Sequence, residues 1–175
     1  MTATHTLCPG CQAQLAPADG PTHRYIGASP ACWALYTTLY NGGGPPLAPA
    51  AHAQLLVDAY ATQHPGTPSP QSIQSVAVHL LTLHGVLVHG VAIKRALWLR
   101  QETLHQRGSS RHGRYTWLAP PDFSSSLTIA DIVAAPTPTQ RTAIAKQYVD
   151  MVYRAWAALH TPTIAAWYAA YIDGE

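Results

Sequence analysis

The residues best suited to chemistry are three cysteines. Cys8-Pro-Gly-Cys11 has the spacing at which two thiolates grip one metal ion, and the intervening Pro-Gly favours the tight turn this needs. Cys32 offers a third sulfur. It follows Ser29-Pro30, a helix-start signature that makes Ser29 the N-cap and puts Cys32 in the first turn, at N3. There the positive end of the helix dipole favours the deprotonated, ligating thiolate. The expectation is one zinc bound by Cys8, Cys11 and Cys32. The plainer reading makes Cys32 a buried apolar thiol and the CxxC adventitious.

A fourth ligand must come from elsewhere. His79 shares a helical stripe with Val76, Leu80 and Leu83, and His52 shares one with Leu55, Leu56 and Ala59. His23 lies in the connecting loop, and His64 near the end of a helix. If the first three helices pack as antiparallel neighbours, Cys32, Asp58 and His79 fall at similar heights. His79 is therefore the expected fourth ligand, with His23, His52 and His64 as alternatives. Single histidines on apolar faces are more often hydrogen-bonded core residues. A closed Cys3His site is structural, because it leaves no open position for water or substrate. This favours a binding or adaptor module.

The alternative is a separate inter-helix metal site made from His52, Asp58, His64 and His79, serving a metal-dependent hydrolase or transferase. The spacing of His52 and Asp58 sets them well apart around one helix, which weakens it. Asp58, Tyr60, Gln63 and His64 also read as an acid–base cluster, with His64 the proton carrier and Asp58 its orienting carboxylate. Its competing reading is helix C-capping by His64.

The elements that must position these groups are helices. Ser29-Pro30, Ser69-Pro70, Thr137-Pro138 and Thr161-Pro162 each place a hydroxyl before a proline. Thr137 with Gln140 makes a capping box, and Thr128 with Asp131 a weaker one. Asn41-Gly42, Pro65-Gly66 and Gly90 are stop signals. The expected helices run over about Pro30–Tyr40, Ala48–His64, Pro70–His89, Val91–Arg107, Ile129–Ala135, Pro138–Leu159 and Pro162–Ile172. Period-two alternation is absent, so no sheet is expected. The fold class is an all-α bundle of about five to seven helices with an N-terminal zinc knuckle, in a single domain: metal-binding segment 1–28, core helices 29–107, loop 108–127 and C-terminal helices 128–175.

Composition narrows the rest. Charged residues are only 10% of the chain, against a usual level of about 25%, which makes self-association as a homodimer plausible. A net charge of +2 is too small to imply nucleic acid. Lys94, Arg95, Arg100, Arg107, Arg111 and Arg114 cluster against Glu102 alone, and read as a solvated helix face running into a loop. No apolar run reaches the ~18–20 residues of a membrane span. An odd cysteine count argues against a complete disulfide framework and for a reducing cytoplasm. Trp33, Trp98, Trp117, Trp156 and Trp167 read as core residues rather than a pocket lining.

Several segments together carry a resemblance: Cys8-Pro-Gly-Cys11, Asp19-Gly-Pro-Thr-His-Arg-Tyr25, Ser29-Pro-Ala-Cys-Trp33, Val57-Asp-Ala-Tyr-Ala-Thr-Gln-His-Pro-Gly66 and Gln71-Ser-Ile-Gln-Ser-Val76 with His79-Leu80. In these the chain resembles a family of bacterial proteins classed as a domain of unknown function. The likeness continues more loosely through Trp117-Leu-Ala-Pro-Pro121 and Leu127-Thr-Ile-Ala-Asp131. Family members often have Gly after the second cysteine, where this chain has Gln12. The resemblance implies that these motifs belong together and brings no activity.

Overall fold

A computed structural model describes residues 5–42, 44, 47, 54–105 and 115–172. Six helices carry it: α1 (Pro30–Tyr40), α2 (Leu56–Gln63), α3 (Pro70–Leu87), α4 (Ile93–His105), α5 (Ile129–Ala134) and α6 (Pro138–Ile172). The all-α expectation holds, with one addition. Strands β1 (Thr6–Leu7) and β2 (Gln14–Leu15) pair antiparallel around the Cys-Pro-Gly-Cys turn. Two-residue strands are too short to leave an alternation signal, which is why none was legible.

The hydroxyl–proline starts behave as capping physics requires. Ser29 Oγ accepts the Cys32 N–H at 3.3 Å and Ser69 Oγ the Ser72 N–H at 3.1 Å. Thr137 Oγ1 accepts the Gln140 N–H at 3.2 Å, and the Asp131 carboxylate accepts from the Thr128 N–H at 2.7 Å. Thr161 differs. Its hydroxyl donates back to Ala157 O at 2.6 Å, and α6 runs on through Pro162 with a kink at His160 (φ −134°, ψ 15°). Proline has no N–H to give, and its ring crowds the carbonyl four residues back, so the helix bends there instead of ending. Gly42 and Gly90, at φ +72° and +65°, terminate α1 and α3 in the left-handed region that glycine tolerates.

The short helix α2 is the hub. It packs against α3 and α6, and every one of its residues except Val57 is buried. The expected start at Ala48 lies outside the described residues, as does His52; the described helix begins at Leu56 after a 3-10 turn at 54–55. Helix α1 packs mainly against α5, and its Tyr36 stacks on Tyr60 of α2 at 3.9 Å between ring centroids. A buried polar ladder ties α2 to α6. The Trp156 indole N–H donates to Thr62 O at 3.0 Å, the Tyr148 hydroxyl donates to Gln63 Oε1 at 2.9 Å, and Gln63 Nε2 donates to Leu127 O at 2.8 Å. Tyr148, Trp156 and Gln63 are each 0% exposed, so these bonds have no solvent substitute. Trp156 is thus a core residue, as expected, while Trp98 stands at the surface under Arg95. No helix among the described residues is long and apolar enough to cross a membrane.

Tyr148→Phe removes one hydroxyl and strands the Gln63 carbonyl oxygen. It is expected to lower unfolding free energy by about 1–3 kcal/mol, read as a shift of the urea midpoint at unchanged slope.

Candidate metal centre

Four side chains from four places in the chain converge. The ligating atoms of Cys8, Cys11, Cys32 and His64 all lie within 4.8 Å of one another, and all four residues are buried. Cys11 Sγ is 3.9 Å from Cys32 Sγ, and Cys32 Sγ is 3.4 Å from His64 Nε2. This is a Cys3His group that could hold a metal ion.

Each donor is held by local backbone chemistry. The knuckle closes through Gln12 N–H to Cys8 O and Cys8 N–H to Ala13 O, both 2.9 Å. Cys32 sits in the first turn of α1, capped by Ser29, as its spacing predicts. The Ser29 N–H itself donates to Cys8 Sγ at 3.4 Å, so the helix start touches two of the three sulfurs. His64 occupies the C-cap of α2. The backbone of 26–27 runs beside 64–66: Gly27 N–H donates to His64 O at 2.9 Å, and Ile26 bridges Pro65. That approach needs glycine, since a Cβ on Gly27 would meet Pro65 O at 2.8 Å and one on Gly66 would meet Tyr25 O at 2.9 Å.

The tautomer of His64 follows from its surroundings. Its Nδ1 lies 2.8 Å from Tyr60 O, a group that can only accept, so Nδ1 carries the proton and Nε2 presents its lone pair to the sulfurs. Tyr60 stacks beside the ring and donates its hydroxyl to Cys32 Sγ at 3.6 Å. Without a cation, three sulfurs this close cannot all ionise. Hydrogen bonds from Cys11 and Cys32 hold Cys8 far below the usual thiol range. Contact with Cys11 and Cys8, together with burial, drives Cys32 far above it. For Cys11 the hydrogen bond from Cys32 pulls down, but Cys8 and burial outweigh it, and the thiol is pushed up to about 12. A divalent cation removes this conflict.

The histidines sort differently from the expectation. The nitrogen beside the sulfurs belongs to His64, not His79. His79 donates from Nδ1 to Asp58 Oδ1 at 2.8 Å, and Arg100 Nη1 donates to Asp58 Oδ2 at 2.6 Å. The count of heights failed in register: the first turn of α1 meets the last turn of α2, Cys32 lying against His64 and Tyr60, beyond the level of Asp58. Asp58 therefore orients His79 rather than His64, and the expected cluster of Asp58, His64 and His79 separates into two sites. His23 packs on Trp33 at 5.4 Å between ring centroids and is not among the four converging donors. Arg100 leaves the supposed solvated face to reach Asp58; Arg107, Arg111 and Arg114 lie outside the described residues. The signal that pointed to His64 was His64-Pro65-Gly66, a ligand-type residue placed against a turn as the cysteines are.

The chain belongs to DUF5946, a family of unknown function, whose model matches residues 6–157, as the motif resemblance implied. The matched stretch takes in all four donors and the Asp58 cluster. Comparison with curated proteins and with solved structures finds no match.

Two substitutions in the knuckle are expected to act in opposite directions. A Cβ on Gly10 would sit 2.6 Å from His64 Cδ2 and 2.9 Å from Gly27 O. Gly10→Ala is therefore expected to weaken metal affinity by about 10–100-fold, measured by chelator competition. Gln12 holds φ +61°, the left-handed conformation for which glycine is suited. Gln12→Gly is expected to stabilise the fold by about 0.5–1 kcal/mol, seen as a raised Tm.

Proposed function

We propose that this chain is a zinc-binding helical binding or adaptor module in which the metal is structural. Cys8, Cys11, Cys32 and His64 hold one zinc in a closed site, and the protein works through the surface that the metal braces. The observation that carries this reading is the mutual approach of four buried soft donors within 4.8 Å. Bonds of about 2.3 Å to sulfur and about 2.0–2.1 Å to nitrogen give tetrahedral edges of roughly 3.5–3.8 Å. The 3.9 Å and 3.4 Å separations lie near those lengths. Thiolates and imidazole favour zinc over the hard cations magnesium and calcium. Four protein ligands leave no coordination position for a substrate.

Three thiolates and a neutral imidazole around a divalent ion carry one net negative charge. Backbone N–H groups answer it: those of Ser29 and Cys11 at Cys8 and that of Ala13 at Cys11, with the dipole of α1 behind Cys32. The metal would tie the N-terminal segment to the start of α1 and the end of α2, and its binding energy is folding energy. The reading as a metal-dependent hydrolase or transferase at His52, Asp58, His64 and His79 has less support. His64 faces the sulfurs, and both oxygens of Asp58 are hydrogen-bonded to other side chains.

Natively purified protein is expected to contain one zinc per chain by elemental analysis. His64→Ala and Cys32→Ser are expected to lose it and to lower the Tm, while His79→Ala keeps it. Zinc-free native protein, or full zinc retention in both His64→Ala and Cys32→Ser, would refute the assignment.

A further inference from the structure

A second pair of metal-type donors lies apart from the sulfurs, where the end of α3 meets α6. His84 is buried in the last turn of α3, and His89 is exposed in the connector to α4. Their Nε2 atoms lie 3.2 Å apart. The backbone arranges this approach. Val88 N–H donates to His84 O at 3.0 Å, Val91 N–H donates to Gly85 O at 2.9 Å, and Gly90 turns between them at φ +65°. Both rings are held from α6. His84 Nδ1 is 2.6 Å from the Tyr153 hydroxyl, and the His89 ring stacks on Tyr168 at 4.6 Å between centroids and 8° between planes. Tyr168 in turn lies against Gly85, where a Cβ would meet its Cε2 at 3.1 Å.

The placement of the rings shows how the two nitrogens face each other. A single N–H shared by two imidazoles favours a near-linear bond, which at this separation would hold the ring centroids roughly 5.5 Å apart. The centroids are 5.0 Å apart, with the planes at 67°. The lone-pair axes therefore run oblique to the line joining the nitrogens. Two imidazoles sharing one ion at about 2.0–2.1 Å, with a tetrahedral angle between them, bring the nitrogens to roughly 3.3–3.4 Å and the centroids to about 5.2 Å. The observed 3.2 Å and 5.0 Å lie beside those lengths. Burial, then the charge of His89, lowers the His84 pKa, which keeps that ring in the neutral form a metal needs. With an ion on Nε2, the His84 proton sits on Nδ1 and is donated to the Tyr153 oxygen, the outer hydrogen bond that fixes a metal-bound imidazole.

We propose that His84 and His89 bind one divalent transition-metal ion through their Nε2 atoms, at a site separate from the Cys3His group. Imidazole donors suit zinc, nickel or copper rather than magnesium or calcium. Two protein ligands leave coordination positions open, so this ion keeps water or takes an external ligand, unlike an ion enclosed by four side chains. The exposure of His89 gives the ion its way in. Tyr153 is a positioning residue, acting through His84. The ion would fasten the α3–α4 connector to the end of α3. This goes beyond the structural-zinc reading and does not rest on it.

The test uses natively purified, untagged full chain whose zinc content has been measured. It is titrated with nickel(II) by calorimetry, and absorption spectra are taken alongside. One nickel per chain is expected, without the sulfur-to-nickel charge-transfer absorption that uptake at the cysteines would give. His89→Ala, on the exposed connector, is expected to keep Tm and zinc content. It should weaken nickel binding by more than about a hundredfold, since even a supporting group is worth about 10–100-fold. Tyr153→Phe is expected to weaken it by about 10–100-fold at unchanged stoichiometry. Absence of nickel binding, binding only with the charge-transfer band, or equal affinity in His89→Ala overturns the proposal. Equal affinity in Tyr153→Phe overturns the role of Tyr153. Because zinc content and the charge-transfer band report on the cysteines, failure here is distinguishable from failure of the structural-zinc reading.

Discussion

The packing of three buried sulfurs against one imidazole is the constraint on which the first third of the molecule rests. The 5–29 segment has only a two-residue hairpin of regular structure. What directs it is convergence: Cys8 and Cys11 must meet Cys32 at the start of α1 and His64 at the end of α2. Buried sulfurs so close oppose one another's ionisation, and a shared cation is the economical resolution. The Ser29 cap, the Gly27–His64 backbone pairing and the Tyr60 carbonyl each fix one donor, so the site is organised from its surroundings inward.

What was legible in the sequence follows from how local each signal is. The cysteines could be read because spacing and a cap determine where they sit. Helix starts at Ser29, Ser69 and Thr137 could be read because a hydroxyl, a proline and an N–H interact within four residues. His64 could not be chosen over His79, because the choice depends on how α1 lies relative to α2, a tertiary fact that no periodicity encodes. Thr161-Pro162 shows the same limit: the local pattern is a start signal, yet α6 continues through it with a bend.

Helix α2 explains a second misreading. Helical spacing sets Asp58 and His64 on different faces, which in an ordinary amphipathic helix would leave one in solvent. Here the helix is enclosed on all sides, so both are fully buried and each serves a different site. Asp58 faces His79 and Arg100, His64 faces the sulfurs, and Thr62 and Gln63 face α6. Eight residues and their C-cap thereby carry the imidazole at the sulfurs, the carboxylate paired with His79 and Arg100, and the polar seam of the core.

That enclosure has a consequence for the order in which the chain is made. All four donors lie within the first 64 residues, so the metal site can assemble while the ribosome is still adding the helices that follow. The other side of α2 waits for α6, because Tyr148 and Trp156 belong to that helix. During that interval the Thr62 carbonyl and the Gln63 amide lack the partners they have in the finished protein. A nascent chain already drawn together at Cys8, Cys11, Cys32 and His64 would present this unsealed seam in one orientation, onto which α6 closes.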